Sequence, residues 1–341
     1  MKEPIKILVV DDSLLMQKVL VDLLQSDSQI SVIGTARNGE EALQKIKTLN
    51  PAVVTLDIEM PKMNGLTTVR KIMQTNPLPV IMISALAQRE AQLTLKALEF
   101  GAVDYVPKPS GPISLNMDSV KDELITKVKT AASANIRKVQ PQTQKIAPPK
   151  QKSRDKLISI AASTGGPAAV AYILRNVPPN TPPILVVQHM QKGMTKLFSE
   201  TLNQECRIQV KEAEEGDVVQ EGLALIAPGG FHMEVTKEGE INLTTTPPVN
   251  YVRPSADVTM KSAAKAYAQK NIAVVLTGMG ADGAKGIEAI KKKGGVTIAQ
   301  DKKTCVVFGM PDAAIKTGCV DLVASLEAIP REIMTACETE N

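Results

Sequence analysis

The sequence predicts two α/β domains in series, each built on a doubly wound, mainly parallel sheet, with an antiparallel hairpin in the second. Two observations predict this fold class. The chain has 341 residues, which is more than a domain with a single hydrophobic core usually contains. Short β-branched runs also alternate with longer amphipathic runs on both sides of a segment of different composition, and this alternation is typical of parallel α/β domains.

The N-terminal half is expected to be a (βα)5 unit with helices on both faces of a parallel sheet. Five short apolar runs predict its strands: Ile5–Val10, Ser31–Ala36, Val53–Leu56, Val80–Ser84 and Asp104–Val106. Five segments with apolar residues at three- and four-residue intervals predict its helices: Leu14–Gln25, Gly39–Thr48, Gly65–Asn76, Gln88–Phe100 and Asp118–Ser133.

The composition then changes abruptly. Asn135–Arg154 is rich in Gln, Lys and Pro, with only scattered aliphatic residues, and such a segment cannot cover the entropy cost of ordering. A loop within a single domain is the less favoured alternative, because long structureless loops are uncommon in compact domains. We therefore assign 1–125 to the first domain, 126–154 to a linker and 155–341 to the second domain.

The strand and helix alternation resumes after the linker. Five apolar runs predict strands: Leu157–Ala161, Ile184–Gln188, Leu223–Ile226, Ala273–Thr277 and Val296–Ala299. Between them, Met233–Thr236 and Ile241–Thr245 flank Glu238-Gly239 and predict a β-hairpin. The second domain is therefore expected to be mainly parallel, with an antiparallel insertion.

Composition and charge exclude several classes of protein. A net charge of +4, without a clustered basic stripe, argues against nucleic-acid binding. The four cysteines lack CxxC or CxxH spacing and no secretory signal precedes them, so reduced thiols in the cytoplasm are expected. The longest apolar runs are too short to span a bilayer, so membrane association is expected only through a partner.

Charged and hydroxyl side chains lie at the ends of the predicted strands of the N-terminal half. The first strand ends in Asp11-Asp12, the third in Asp57 and the fourth in Ser84, and Lys108 follows the fifth. Functional groups gather beyond the carboxyl ends of parallel strands, so these residues are expected at one edge of the sheet. Three carboxylates there would repel one another strongly unless a divalent cation and an ammonium group shared the site.

This set of residues has the chemistry of a Mg²⁺-assisted phosphoryl acceptor. Asp57 is the predicted nucleophile, Asp12 and Asp57 are predicted cation ligands, and Lys108 would neutralise phosphoryl oxygens. Ser84 would supply a hydroxyl group to the acylphosphate. For any one of these acids alone, a solvated loop residue is the favoured interpretation, but the five consistent strand ends together favour the phosphoacceptor.

Residues 1–125 resemble the response-regulator receiver family, whose fold is flavodoxin-like. The matching positions are Asp11-Asp12, Leu56-Asp57-Ile58-Glu59-Met60-Pro61, Gly65, Ser84-Ala85 and Lys108-Pro109. The resemblance implies phosphotransfer from a histidine kinase and a switch in which Ser84 and Tyr105 reorient. It places the Mg²⁺ ligands at four positions: Asp11, Asp12, Asp57 and the backbone carbonyl of Glu59.

The second half contains a serine between a strand and a helix. The strand Leu157–Ala161 leads into Ala162-Ser163-Thr164-Gly165-Gly166-Pro167, which precedes an apolar segment of helical spacing. A serine held at such a turn by small neighbours is the geometry of a nucleophile elbow. The same residues are also compatible with a helix N-cap and a phosphate-cradling loop, and the motif alone does not separate the two interpretations.

A hydroxyl nucleophile needs a base, and the chain contains two histidines. His189 follows the strand Ile184–Gln188, next to the strand that precedes Ser163, so it is the predicted base. His232 lies before the hairpin and is expected to line the cleft or to pack. Asp282, in the glycine-rich loop after Ala273–Thr277, is the predicted orienting acid, although an Asp there is often only a turn residue.

The glycines around Asp282 allow backbone N–H groups to approach a ligand, and the N–H of Met279 is predicted to donate to an oxyanion. The chain order Ser163, His189, Asp282 differs from the Ser, Asp, His order of α/β-hydrolases and from both familiar protease orders. An ordinary lipase-type fold is therefore disfavoured.

Residues 155–338 resemble the chemotaxis protein-glutamate methylesterase family, CheB. The matching segments are Ala162-Ser163-Thr164-Gly165-Gly166, Val187-Gln188-His189-Met190, Ala227–Met233, Arg253-Pro254-Ser255-Ala256-Asp257 and Leu276–Gly283. The resemblance implies a Ser163, His189 and Asp282 triad, with Met279 and Thr164 at the oxyanion and substrate site. It also implies demethylation of glutamate methyl esters and deamidation of certain glutamines on chemotaxis receptors, without a cofactor for the hydrolase.

The sequence leaves two alternative functions to consider, a transcription regulator and a hydrolase with a different substrate. A receiver joined to a second module often controls transcription, but no helix-turn-helix pattern follows the linker. The only dense basic run, Lys291-Lys292-Lys293, precedes two glycines and is typical of a helix C-terminus. A phosphorylation-regulated esterase or amidase with another substrate is a closer alternative, because a triad specifies acyl transfer and not the acyl group.

Overall fold

The computed structural model describes residues 3–85, 87–108, 117–136 and 155–338. The chain divides into two compact units, Met1–Gln140 and Pro141–Asn341. The predicted linker lies mostly outside the described residues, from 137 to 154, as does Pro109 of the receiver pattern. Residues 126–132, at the start of the segment assigned to the linker, are helical.

The first unit is a five-stranded parallel sheet with the strand order β2-β1-β3-β4-β5, and this confirms the predicted fold class. Its strands are β1 Ile5–Val10, β2 Ile30–Ala36, β3 Val53–Asp57, β4 Val80–Ser84 and β5 Asp104–Pro107. Its helices are α1 Leu14–Gln25, α2 Gly39–Leu49, α3 Gly65–Thr75, α4 Gln88–Glu99 and α5 Met117–Ala132. Helix α1 contacts α5, whereas α3 contacts both α2 and α4.

Local sequence fixes where several of these helices begin. Ser13, Asn38 and Asn64 each accept a hydrogen bond from a backbone N–H in the first turn of α1, α2 and α3, as N-cap residues do. Gly65 is required for a close approach, because a Cβ atom there would lie 2.0 Å from the Asp57 carbonyl oxygen. The start of α3 therefore packs directly against the end of β3.

The second unit contains a seven-stranded sheet with the order β14-β13-β12-β6-β7-β9-β8, and every strand pair in it is parallel. Its strands are β6 Leu157–Ala162, β7 Ile184–Gln188, β8 Gln209–Glu212, β9 Leu223–Ile226, β12 Asn271–Val275, β13 Val296–Gln300 and β14 Leu322–Ala324. The helices are α6 Gly166–Asn176, α7 Met194–Glu205, α8 Ala256–Tyr267, α9 Ala284–Lys292, α10 Met310–Lys316 and α11 Ile329–Glu338.

The predicted hairpin forms a separate antiparallel sheet of β10 His232–Val235 and β11 Ile241–Thr244. Strand β12 begins and ends two residues earlier than predicted. The Thr277 N–H donates to the Gln300 side chain instead of to a strand, so Thr277 belongs to the loop that follows β12. None of the helices in the described ranges is long and apolar enough to cross a membrane.

Candidate functional site

The first unit gathers three carboxylates at the ends of β1 and β3. The two strands pair in parallel with Val10 opposite Leu56, so Asp11 and Asp57 leave the sheet side by side. One ligand oxygen from each of Asp11, Asp12 and Asp57 lies within 4.8 Å of the other two. Asp11 and Asp57 are fully buried, whereas Asp12 is exposed.

Lys108 supplies positive charge to this cluster. Its Nζ lies 2.7 Å from Oδ1 of Asp57 and 3.9 Å from Oδ2 of Asp11, and its backbone N–H donates to the Ser84 carbonyl. Burial raises the pKa of Asp57 to about 6 and the nearby Asp11 adds to this rise, although the hydrogen bond from Lys108 opposes it. Burial also raises the pKa of Asp11. One ammonium group therefore does not offset the cost of burying two carboxylates.

Two oxygens of the cluster have no hydrogen-bond donor among the described residues. They are Oδ2 of Asp11 and Oδ2 of Asp57, and both are buried. Buried carboxylate oxygens are normally satisfied, and oxygen ligands of this kind suit a hard divalent cation. The residues present therefore fit a Mg²⁺ ion, which both unsatisfied oxygens could bind.

The other residues predicted for the first site lie around this cluster. Ser84 donates to the Ala85 carbonyl, and its Oγ lies 2.8 Å from Oγ1 of Thr94 on α4. Tyr105 is buried, with Nζ of Lys127 4.9 Å from its ring centroid. Glu59 follows β3 and its side chain is half exposed. No sequence signal singled out Thr94, which is fully buried and ties α4 to the serine.

The second unit brings Ser163, His189 and Asp282 to three neighbouring strand ends. Ser163 follows the central strand β6, which pairs with β12 on one side and with β7 on the other. His189 directly follows β7, and Asp282 lies in the loop after β12. The Ser163 N–H donates to the Thr277 carbonyl and the His189 N–H to the Ala162 carbonyl, so backbone hydrogen bonds hold the three ends together.

Small neighbours allow Ser163 to occupy this turn. A Cβ atom on Gly278 would lie 2.8 Å from Cβ of Ser163, and Gly165 adopts a left-handed backbone with φ of 73°. The Ser163 carbonyl accepts from Gly166 N–H at 2.7 Å and from the Gln188 side chain at 3.0 Å. The serine is therefore fixed by its backbone at the start of α6, while its side chain remains partly accessible.

His189 and Asp282 form a direct hydrogen bond, with Nε2 2.8 Å from Oδ2. A carboxylate only accepts, so Nε2 carries the proton and Nδ1 is the ring nitrogen left to act as a base. Asp282 is 2% exposed. Its Oδ2 also accepts from the Ala256 N–H, and its Oδ1 accepts from the Ser255 hydroxyl, each at 2.6 Å.

These donors determine the charge state of Asp282. Burial alone raises its pKa, but the hydrogen bonds from His189, Ser255 and Ala256 outweigh burial and lower the pKa to about 2. The carboxylate is therefore ionised at neutral pH in a site from which water is largely excluded. That charge fixes both the tautomer and the orientation of the His189 ring.

His232 lies elsewhere in the same network. Its ring is fully buried, its Nδ1 accepts from the Ser255 N–H at 3.1 Å, and its Nε2 lies 3.2 Å from the Pro247 carbonyl. It therefore supports the segment that carries Ser255.

Thr164 directly follows Ser163, and Met279 follows Gly278, which packs against Ser163. Met279 lies between Gly278 and Gly280, and its side chain is half exposed. The Thr164 carbonyl accepts from the Thr277 hydroxyl at 2.9 Å, which links the two loops. Four residues that donate to Asp282 were not predicted as site residues: Asn250, Ser255, Ala256 and Asp257. The last three appeared only within a family motif, and their hydrogen-bond partners depend on how distant loops pack together.

Comparisons with known proteins agree with both halves of the chain. Residues 158–333 match the family described as CheB methylesterase, and residues 7–117 match the response regulator receiver domain. A protein-glutamate methylesterase/protein-glutamine glutaminase of Pyrococcus abyssi (strain GE5 / Orsay) is 50% identical over 346 residues, covering 98% of this chain and 94% of its own. One of the same name from Halalkalibacterium halodurans is 44% identical, covering 99% of this chain and 100% of its own.

A solved structure is similar to the second unit. The crystal structure of the Thermotoga maritima CheB methylesterase catalytic domain has 44% sequence identity and a TM-score of 0.51. The match covers 53% of this chain and 97% of that one.

Proposed function

The chain belongs to the CheB methylesterase family and contains a response regulator receiver domain, and on this premise we propose that it is a protein-glutamate methylesterase and protein-glutamine glutaminase regulated by phosphorylation. The observation that carries the proposal is the placement of Ser163, His189 and Asp282 at three adjacent strand ends, with His189 and Asp282 hydrogen-bonded at 2.8 Å.

The hydrolase reaction follows from these groups. The Ser163 Oγ attacks the carbonyl carbon of a glutamyl methyl ester while His189 takes the hydroxyl proton through Nδ1. The N–H of Met279, with Thr164 at the same substrate site, stabilises the oxyanion. His189 then gives this proton to the departing methoxide, which leaves as methanol. Water hydrolyses the acyl-enzyme, which restores Ser163 and leaves a glutamate side chain on the substrate protein. A glutamine side chain follows the same steps with ammonia as the leaving group.

The receiver supplies the regulatory input. Asp57 accepts the phosphoryl group on one carboxylate oxygen, while Lys108 neutralises charge and the Ser84 hydroxyl donates a hydrogen bond to the acylphosphate. Tyr105 reorients together with Ser84. Asp11, Asp12, Asp57 and the Glu59 backbone carbonyl would hold Mg²⁺, which would neutralise negative charge that develops during phosphoryl transfer.

We further propose methyl-accepting chemotaxis receptors as the substrates and a chemotaxis histidine kinase as the phosphodonor. The printed names of the relatives support the reaction type, and the receiver domain supports the phosphodonor class. Location in the cytoplasm stays a prediction.

The test is methanol release from a methylated receptor fragment, followed by mass spectrometry of its glutamyl sites. Ser163→Ala is expected to lower release by roughly 10⁴- to 10⁶-fold, because the nucleophile is lost and the replacement is nearly isosteric. The matched control is Asp57→Asn, which should keep basal release but lose stimulation by a small phosphodonor. Retention of more than a few per cent of release by Ser163→Ala would reject the assignment. Release from unrelated esters but not from the receptor would leave the hydrolase and reject its substrate.

A further inference from the structure

An exposed asparagine joins two buried carboxylates beside the triad. Nδ2 of Asn250 lies 2.9 Å from Oδ1 of Asp282 and 2.9 Å from Oδ2 of Asp257. Both acids are almost completely buried, whereas Asn250 lies on the surface. A side-chain amide nitrogen carries two hydrogens, so each carboxylate receives one of them.

Asp257 has its own structural task next to Asp282. Its Oδ1 accepts from the N–H groups of Gly283 and Gly286 at 3.0 and 2.8 Å, which fixes the turn that leads from Asp282 into α9. The Asp257 N–H also donates to Oδ1 of Asp282 at 3.2 Å. The two acids are therefore close neighbours, and the Asn250 amide donates to both of them.

The backbone around Asn250 is held in a conformation that most residues avoid. Asn250 and Tyr251 have φ angles of 53° and 65°, in the left-handed region that Asn adopts more readily than most non-glycine residues. Val249 and Val252 exchange two backbone hydrogen bonds at 3.1 Å across this turn. His232 binds the chain on both sides of it, through the Pro247 carbonyl and the Ser255 N–H. The turn therefore presents the Asn250 amide in one fixed place.

We propose that Asn250 is a positioning residue of the hydrolase, which shares one neutral amide donor between Asp257 and Asp282 so that Oδ2 of Asp282 stays directed at His189. This inference rests on the proposed function of the Ser163 site. Oδ1 of Asp282 also receives the Ser255 hydroxyl and the Asp257 N–H, so loss of Asn250 should weaken the arrangement without abolishing it. The ring of His189 would then be oriented less firmly for proton transfer.

The test compares three substitutions of Asn250 in the full-length chain. Asn250→Ala should lower kcat by roughly ten-fold with KM nearly unchanged, because the residue acts through Asp282 and not on the substrate. Asn250→Asp is nearly isosteric but replaces the donor with a third carboxylate, so it should be worse, by roughly 100-fold. Asn250→Gly tolerates the left-handed backbone but lacks the amide, so it should resemble Asn250→Ala. Asn242→Asp, at an exposed asparagine of the hairpin, is the matched control and should have little effect.

The order of the two main variants discriminates between a donor and a packing role. If Asn250 only filled space or shaped the turn, the isosteric Asn250→Asp would be the milder change and Asn250→Gly would be tolerated. Either result would overturn the proposal, and so would a higher KM with normal kcat.

A spectroscopic readout separates failure of this inference from failure of the proposed function. The chain has two histidines, so ¹⁵N-histidine labelling gives signals from His189 and His232 alone. Asn250→Ala should change the ring signals of His189 while those of His232 remain, whatever the substrate proves to be. An unchanged His189 ring would reject the positioning role. A wild-type chain that does not release methanol, with the expected change at His189, would reject only the methylesterase assignment.

Discussion

Asp57 of the receiver and Asp282 of the hydrolase are buried to nearly the same extent, but their pKa values are shifted in opposite directions. Asp57 is the last residue of β3 and Asp282 lies in the loop that follows β12, and they are 0% and 2% exposed. The pKa of Asp57 is raised to about 6, whereas that of Asp282 is lowered to about 2. Burial raises the pKa in both cases, so burial cannot be what distinguishes the two carboxylates.

The difference lies in the donors that the fold directs at each carboxylate. Asp57 receives the Lys108 ammonium and the Ile58 N–H on Oδ1, and Oδ2 has no donor among the described residues. Both oxygens of Asp282 are satisfied by protein groups, which include a hydroxyl, an amide and two backbone N–H groups besides His189. An incompletely satisfied carboxylate is suited to bind something from solution. A fully satisfied carboxylate is suited to orient another residue permanently.

The largest effect that would sharpen this comparison is expected from Asp282→Asn. In asparagine an NH₂ group replaces one of the two carboxylate oxygens. Its hydrogens would face some of the donors that now surround Asp282, so those hydrogen bonds would be lost. The His189 tautomer with Nε2–H would also lose its acceptor. We expect kcat for methanol release to fall by roughly 10³- to 10⁴-fold, with phosphoryl labelling of the receiver unchanged.

Labelling of Asp57 by a small phosphodonor is the control for that variant, because it reports on the fold of the other unit. Nearly normal methanol release from a folded Asp282→Asn protein would show that the carboxylate does not orient the base. Loss of the unfolding transition of the second unit would show instead that the substitution unfolds the hydrolase.

Removal of divalent cations should have an effect of intermediate size, and it should impair phosphorylation of the receiver without affecting the hydrolase. Chelation with EDTA should lower acylphosphate formation at least 100-fold. Without the cation, the carboxylates of Asp11, Asp12 and Asp57 make the site too negative to accept a dianionic phosphoryl group. Basal methanol release should stay the same, since Asp282 is already satisfied by protein donors. Labelling that persisted without Mg²⁺, or that persisted in Asp57→Asn, would contradict the phosphoacceptor site.

The sequence predicted the positions of these side chains better than their chemical surroundings. Strands that are buried on both faces form continuous apolar runs, such as Ile184–Gln188, and the residues that follow them mark the strand ends. The two edge strands β8 and β14 were not predicted, because β8 is largely polar and β14, although apolar, is only three residues long. Parallel topology then brings the ends of β12, β6 and β7 together.

The environments of Asp57 and Asp282 could not be predicted in the same way. Both residues follow apolar runs, and nothing local to either distinguishes a pKa near 6 from one near 2. Apart from His189, the donors to Asp282 come from residues 250–257, about thirty residues earlier in the chain, and they meet it only when that segment folds against the loop after β12. The Thr94 contact with Ser84 likewise depends on where α4 packs.

The smallest expected effect is a pH dependence of stability that follows from the pKa of Asp282. Its pKa is lowered on folding from 3.8 to about 2, so ionisation of this group stabilises the folded state above the unfolded pKa. This contribution is lost as the pH falls through the folded value. Such a shift corresponds to about 2 kcal/mol of stability at neutral pH, of which about half should remain at pH 3.

Asp282→Asn removes this group from the titration. The difference in unfolding free energy between wild type and Asp282→Asn, measured by denaturant titration of the transition that the substitution shifts, should shrink by about 1 kcal/mol between pH 5 and pH 3. Asp57 cannot produce this change, because a carboxylate whose pKa is raised on folding gains relative stability as the pH falls. A difference that stayed constant to pH 3, or one that grew, would mean that the donors around Asp282 do not hold it ionised.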